Sequence, residues 1–140
     1  MFEECLYFNS NALARTLTRI WTEAYKSFDL SPPHAFLLRV VLAKPGLMPR
    51  ELAAALSLSR STVTRFLDSL EKRGFLERKM LARDGREVQI FPTESAQSIH
   101  EELDQTGKRL TKLMHELIGQ QEVSDTISNL RKFQKTLEAS

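Results

Sequence analysis

Residues 57–92 read SLSRSTVTRFLDSLEKRGFLERKMLARDGREVQIFP, and their pattern predicts a helix followed by a two-stranded hairpin. At about 100° per residue, apolar and polar side chains fall in two separate arcs of that helix. The apolar arc holds Val63, Phe66, Leu67 and Leu70, and the polar arc holds Arg60, Ser61, Thr64, Arg65, Asp68 and Lys72. Ser59 is suited to cap the start of the helix, and Gly74 is suited to end it. Beyond Gly74, two strand-like runs flank Asp84-Gly85, a dipeptide typical of tight turns.

A second, shorter helix is predicted just upstream, over PRELAAAL at residues 49–56, because Pro49 suits a first helical position. A short helix, a turn of about four residues, a capped second helix and a basic hairpin together describe a winged helix-turn-helix. This motif usually binds duplex DNA. Arginine reads guanine in the major groove, while serine and threonine contact base edges through hydroxyls and threonine touches thymine through its methyl group. Five residues in the first turns of the second helix are therefore predicted to contact DNA: Arg60, Ser61, Thr62, Thr64 and Arg65. For Ser61 and Thr62 the alternative is a purely local role at the start of the helix.

The chain resembles the MarR-type transcriptional regulators. The resemblance rests on ELAAALSLSRSTVTRFLDSLEKRGFLER at residues 51–78, on Asp84-Gly85-Arg86, and on Pro92-Thr93-Glu94 closing the second strand. The chain also has one long helical pattern before the motif and two after it. The resemblance therefore covers nearly the whole chain. It implies a mainly α (α+β) fold, a winged helix-turn-helix with long N- and C-terminal dimerisation helices. The family often has glycine where this chain has Ser57, and serine or threonine where it has Met48; each departure is expected to cost about 1 kcal/mol.

The resemblance also assigns roles to the hairpin. Arg86 resembles the family arginine that enters the minor groove, and Asp84 resembles the acid that braces the wing by pairing with a nearby arginine. Positions matching Thr64 and Arg65 lie at the DNA in the family. Further contacts with the DNA backbone are predicted for Arg50, Lys79 and Arg83. Lys79 and Arg83 have an alternative reading as ordinary exposed strand charges.

The charge of the chain is concentrated on this motif. Residues 60–86 hold eight Lys/Arg against four Asp/Glu, a net charge of +4, whereas residues 87–140 carry −3 and residues 1–59 carry +1. Local positive charge is what a phosphate-contacting surface requires. The alternative is an ordinary solvated surface with average scatter of charge.

Composition predicts one ordinary domain, since the chain has 140 residues of which 41% are hydrophobic. No apolar run approaches the roughly 20 residues of a membrane span, and Glu3 and Glu4 stand where a signal peptide carries basic residues. A cytoplasmic protein is therefore expected.

The single cysteine, Cys5, excludes an internal disulfide, and the histidine and cysteine spacings suggest neither a metal site nor a cofactor.

Nothing in the sequence favours an enzyme. The chain has no Gly-rich phosphate loop and no Gly-x-Ser-x-Gly motif. His100 and His115 share a predicted helix but would stand about 22 Å apart at about 1.5 Å per residue, too far to act together.

Helices are predicted on both sides of the motif. One runs from about Phe8 to Phe28 and the next from about Pro33 to Ala43, and Leu47-Met48 is read as a small added strand. Thr93 is predicted to cap one long helix reaching Gly119, and a last helix spans about Glu122 to Leu137. Because the apolar seams of the outer helices exceed what one small wing domain can bury, we expect them to interlock across a twofold axis. A monomer with a helical layer over the wing is the alternative.

The predicted division is then residues 1–30 and 93–140 for dimerisation and residues 31–92 for DNA binding, within one intertwined domain. A symmetric dimer predicts an inverted-repeat operator with half-sites about one helical turn apart. The resulting hypothesis is a homodimeric repressor released by a small-molecule effector. A winged-helix module that binds protein instead of DNA is one alternative, since a fold does not fix function.

The family resemblance further implies an effector pocket between the dimerisation helices and the wing domain. Candidate lining residues are Trp21, Tyr25, His34, Phe36 and Arg39, each with packing as its alternative role. Some relatives instead sense peroxide through a thiolate in the first helix. Their reactive cysteine aligns near Ser10 rather than Cys5, and Glu3 and Glu4 would oppose a Cys5 thiolate. A redox-sensing regulator using Cys5 is thus a separate alternative.

Overall fold

The structure is a computed structural model that describes residues 1–80 and 87–140. Its helices and strands are α1 (Leu6–Tyr25), a 3-10 turn (Lys26–Phe28), α2 (Pro32–Ala43), α3 (Pro49–Leu56), α4 (Arg60–Lys72), β1 (Leu76–Met80), β2 (Val88–Pro92), α5 (Glu94–Ser98), α6 (His100–Leu117) and α7 (Gln120–Glu138). The fold is mostly helical with a small antiparallel sheet, which confirms the predicted winged helix-turn-helix class. The described chain divides into two units, Met1–Asp104 and Gln105–Ser140.

Local signals fix the ends of α3 and α4. The Ser59 hydroxyl accepts a hydrogen bond from the Thr62 N–H at 3.2 Å, and Gly74 has a φ of 79°, so both predicted ends of α4 are confirmed. Met48 has no polar side chain, but Glu51 accepts its backbone N–H at 3.0 Å. Ser57 adopts the left-handed conformation that ends α3, with φ 54°.

The core of the first unit is built around α2 and α4. The predicted apolar arc of α4 is buried at Val63, Leu67 and Leu70. The largest fully buried side chains of this unit are Tyr25, Leu37, Leu38, Leu52, Leu67, Leu70, Ile90 and Leu103. Because one face of α4 is held by this core, its opposite face is left to solvent.

The two strands pair in antiparallel register from Leu76 opposite Pro92 to Met80 opposite Val88. Leu47 adds a single bridge to Ile90, accepting the Ile90 N–H at 2.9 Å. The predicted strand at Leu47-Met48 is thus present as one bridge. Residues 81–86, which include the predicted wing residues Arg83, Asp84 and Arg86 and the predicted turn residue Gly85, lie outside the described residues.

The predicted single helix from Thr93 to Gly119 is wrong, because two helices meet at Ile99. Thr93 does cap the first of them, accepting the Ala96 N–H at 3.2 Å. At the break, the Ile99 N–H bonds to the Ala96 carbonyl at 3.2 Å, while the Ser98 hydroxyl donates to the Ser95 carbonyl at 2.6 Å. A serine hydroxyl that takes this carbonyl competes with the regular helical bond. The first helix also differs, since α1 starts at Leu6 and gives way to a 3-10 turn after Tyr25.

The second unit holds the rest of α6 and the whole of α7. Gly119 links these helices with a φ of 119°. No residue of α7, which is fully described, is buried. The seam predicted from sequence is exposed at Ile127, Leu130, Phe133 and Leu137. None of the described helices has the length and apolar composition of a membrane span.

Candidate nucleic-acid interface

The first turns of α4 carry a hydrogen-bonded cluster of hydroxyls and a guanidinium group. The Ser59 hydroxyl donates to the Thr62 hydroxyl at 2.8 Å, and Arg65 Nη2 donates to the same Thr62 oxygen at 3.5 Å. The Ser61 hydroxyl lies 3.2 Å from that of Ser59. The structure therefore brings Ser61, Thr62 and Arg65 together around the helix cap. The Thr62 side chain thus contacts both the cap residue Ser59 and Arg65.

The remaining predicted base contacts share the exposed face of α4. Arg60, Ser61, Thr64 and Arg65 are all exposed. The Thr64 hydroxyl donates to the Arg60 carbonyl at 2.9 Å, a back-bond of the kind common for threonine in helices. This face offers hydroxyls and two guanidinium groups to a ligand, which is the donor chemistry that the major groove accepts.

Two predicted phosphate contacts, Arg50 of α3 and Lys79 of β1, have acidic neighbours. Arg50 Nη1 lies 3.7 Å from Glu87 Oε1, and Lys79 Nζ lies 3.8 Å from Glu77 Oε1. Lys79 also sits over the Phe91 ring, 4.7 Å from its centroid. The side chains of Arg50 and Lys79 are 59% and 60% exposed. Ion pairs this exposed contribute little to the free energy of folding. Both cations are thus within reach of a polyanion.

Two arginines that sequence reasoning did not single out tie α4 to its surroundings. Arg78 of β1 contacts Asp68 at 2.7 Å and Glu71 at 3.3 Å. Arg73, just after α4, donates to the carbonyls of Asp29 at 2.5 Å and Phe28 at 3.3 Å. Helical periodicity indicates that these side chains are polar, but it carries no information on partners as far as 45 residues away.

The five effector-pocket candidates do not form one site. A cavity of about 520 Å³ opens between α1, α2 and the end of α3, lined by Ala14, Leu17, Thr18, Trp21, Pro32, Pro33, Phe36, Leu56 and Leu58. Of the candidates, only Trp21 and Phe36 line it. The Tyr25 side chain is fully buried, with its hydroxyl 3.4 Å from Arg39 Nη1. Arg39 also donates to Asp104 Oδ1 at 3.2 Å.

His34 faces α4 rather than this cavity. Its ring lies 4.3 Å from the Phe66 ring, measured between centroids, and its Nδ1 contacts the Ser31 hydroxyl. Burial, with a smaller contribution from the positive charge of Arg73, lowers the pKa of His34 below its usual value. A neutral imidazole is therefore favoured at this contact between α2 and α4.

The candidates for other chemistry are isolated. Cys5 is exposed at the start of α1, where its Sγ accepts the Phe8 N–H at 3.5 Å. Among the residues that the structure describes, no three His, Cys, Asp or Glu side chains are grouped to hold a metal ion.

The short helix α3, the left-handed turn, the capped helix α4 and the antiparallel strands β1 and β2 define a winged helix-turn-helix protein. Residues 30–88 match the model of the MarR family. Curated relatives of the chain are named HTH-type transcriptional regulators.

Similar proteins and solved structures extend the likeness beyond the matched residues. The chain is 28% identical over 121 residues to the HTH-type transcriptional regulator SarZ of Staphylococcus aureus, covering 86% of this chain and 80% of SarZ. It resembles the MepR–DNA complex of S. aureus with a TM-score of 0.86 at 20% identity, covering 96% of this chain and 99% of that one. It also resembles PcaV of Streptomyces coelicolor, solved with its natural ligand, with a TM-score of 0.80 at 20% identity and coverage of 96% and 95%. At this identity the structural likenesses establish the shared fold.

Proposed function

We propose that the protein is a homodimeric repressor that binds an inverted-repeat operator and is released by a small-molecule effector. α4 enters the major groove and the wing enters the minor groove. The observation that carries the proposal is the exposed N-terminal half of α4, where Arg65 contacts Thr62 and is flanked by Arg60, Ser61 and Thr64. The structural likeness to MepR, which was solved with DNA, supports this placement of the helix.

The dimer is supported by the apolar seam of α7. Its four exposed apolar residues, Ile127, Leu130, Phe133 and Leu137, retain 41% to 65% of their accessible surface. A contiguous apolar seam left in water marks an interaction surface. We therefore assign residues 1–30 and 93–140 to dimerisation and residues 31–92 to DNA binding. Leu130→Glu should shift the protein toward monomer in light scattering at micromolar concentration, and an unchanged mass would contradict this assignment.

The DNA-binding proposal is tested first by selecting genomic fragments with the purified protein at near-physiological salt and sequencing those retained. An inverted repeat among them supports the proposal, and no enrichment at any salt concentration contradicts it. Binding to the recovered operator is then measured by fluorescence anisotropy. Arg65→Ala is expected to weaken it by roughly 1–3 kcal/mol, or about five- to 150-fold. Lys112→Ala, which removes an 80% exposed cation from α6, serves as the matched control.

The wing is tested in the same assay through Arg86→Ala. An arginine in the minor groove adds affinity and a counterion-release contribution, so the variant should bind more weakly and with a shallower salt slope. If Arg65→Ala and Arg86→Ala both bind like the parent, the assignments of the recognition helix and wing fail. Binding that hardly depends on salt would favour the protein-interaction module instead.

The effector is proposed to occupy the cavity lined by Trp21 and Phe36. Its lining is almost wholly apolar, and Arg39 is held by Asp104 elsewhere, so a neutral aromatic ligand fits better than an anion. Trp21 is the only tryptophan of the chain and reports directly on occupancy. Titration with 2-naphthol should quench its fluorescence saturably and release operator DNA, with Trp21→Phe as the fluorescence blank. If 2-naphthol neither quenches the fluorescence saturably nor releases operator DNA, the effector site is refuted. The DNA-binding proposal is not affected by that result.

A further inference from the structure

The recognition helix, α4, carries two carboxylates, Asp68 and Glu71, on the face proposed to meet DNA. At about 100° per residue, Asp68 lies about 40° around the helix from Thr64, and Glu71 lies about 20° from Thr64. Their side chains are 61% and 42% exposed. Two negative charges on this face would oppose the approach of a phosphate backbone, because like charges near an interface are costly. Neutralising these two charges would reduce that repulsion.

Arg78 supplies that neutralisation from the neighbouring strand. Its Nη2 donates to Asp68 Oδ1 at 2.7 Å, and its Nη1 donates to Glu71 Oε1 at 3.3 Å. The Arg78 side chain is itself only 31% exposed, so the guanidinium group lies partly enclosed against α4. A single planar guanidinium with several N–H donors can serve two carboxylates at once, whereas an ammonium acts as one point charge.

The position of Arg78 also joins two parts of the motif. It belongs to β1, the first strand of the wing, while Asp68 and Glu71 belong to the C-terminal half of α4. Each contact therefore fixes the strand against the helix. The neighbouring Lys79 does not share this role, since it points to Glu77 and the Phe91 ring.

We infer that Arg78 is a positioning residue for DNA binding, which neutralises Asp68 and Glu71 on the recognition helix and does not itself contact DNA. This inference rests on the proposed function. It predicts that the two carboxylates become harmful to binding when Arg78 is removed, and that removing them as well restores binding. A direct contact between Arg78 and a phosphate predicts no such restoration.

The test compares five proteins on the selected operator: the parent, Arg78→Ala, Arg78→Lys, Asp68→Asn/Glu71→Gln, and the triple variant that combines Arg78→Ala with both amide substitutions. Arg78→Ala should weaken binding by roughly tenfold, and Arg78→Lys should recover part of this loss. The triple variant should return to within about threefold of the parent. Asp68→Asn/Glu71→Gln should bind at least as tightly as the parent. Lys112→Ala is again the control for loss of a cation.

Folding is checked for each variant by circular dichroism and thermal unfolding, with binding measured well below the lowest midpoint. A triple variant that stays as weak as Arg78→Ala overturns the inference, and so does an Arg78→Ala variant that binds like the parent. If Arg78→Ala fails to fold, Arg78→Lys is compared with and without Asp68→Asn/Glu71→Gln. The inference then requires that these two substitutions improve operator binding by Arg78→Lys. Failure of the parent to bind any DNA would instead overturn the proposed function.

Discussion

Replacing Ser57 with glycine should stabilise the protein. Ser57 holds φ 54° and ψ 44° at the turn between α3 and α4, where the Leu58 N–H closes α3 by bonding to the Ala53 carbonyl at 3.0 Å. The left-handed conformation costs a non-glycine residue roughly 1–2 kcal/mol. Glycine gains about 0.4–1 kcal/mol of extra freedom in the unfolded chain, which acts in the opposite direction. The net expectation for Ser57→Gly is an increase of about 0.5–1 kcal/mol in the free energy of unfolding.

Urea unfolding followed by circular dichroism measures this change. Parent and variants are compared at the same protomer concentration, because the stability of an oligomer depends on it. Ser57→Ala is the matched control: it also removes the hydroxyl but keeps a Cβ, so it should gain nothing. Operator affinity should be unchanged in Ser57→Gly, since the backbone of the turn stays the same. A Ser57→Gly protein no more stable than Ser57→Ala would refute the assignment of strain to this residue.

Three further changes follow from named features. Gly74→Ala should lose about 1 kcal/mol in the same urea assay, because φ is 79° while an added Cβ meets no atom within 4 Å; a much larger loss would reveal a steric contact. Leu70→Ala, at a side chain with no exposed surface, should lose about 2–5 kcal/mol, and a loss below about 1 kcal/mol would contradict its place in the core. The lowered pKa of His34 means that the unfolded chain takes up the proton first as pH falls below about 6.5, so stability is lost there. His34→Gln should reduce the loss of stability measured by urea unfolding between about pH 7.5 and 5.5, and an unchanged loss would exclude His34 as its source.

The recognition helix could be predicted closely because its signals are local. The cap at Ser59, the end at Gly74 and the apolar arc of Val63, Leu67 and Leu70 each depend on residues within a few turns of one another. The departure at Ser57 was also visible in sequence, and the structure resolves it by keeping the left-handed turn with serine in place.

Two kinds of feature could not be predicted from the sequence: those decided by competing hydrogen bonds, and those decided by contacts between residues far apart in the chain. Thr93 is a good cap and the pattern after it is helical, yet the bond from Ser98 to Ser95 and the tightened turn at Ile99 divide the helix. The pocket candidates lie on the first two predicted helices, but tertiary packing buries the Tyr25 side chain in the core and leaves Trp21 lining a cavity. Periodicity assigns a side chain to a face of its own helix and cannot choose its partner on another element.

The net charge counted from the sequence of the motif does not show where its charged side chains point. The net charge of +4 over residues 60–86 suggests a uniformly basic surface. In the structure, Arg78 is bound to Asp68 and Glu71, and Arg73 is bound to backbone carbonyls at the corner before α2. These contacts direct two cations toward the protein and at the same time neutralise acids on the exposed face of α4. The charges left facing solvent on the first turns of α4 are those of Arg60 and Arg65, so the placement of the acids matters to DNA recognition as much as the excess of bases.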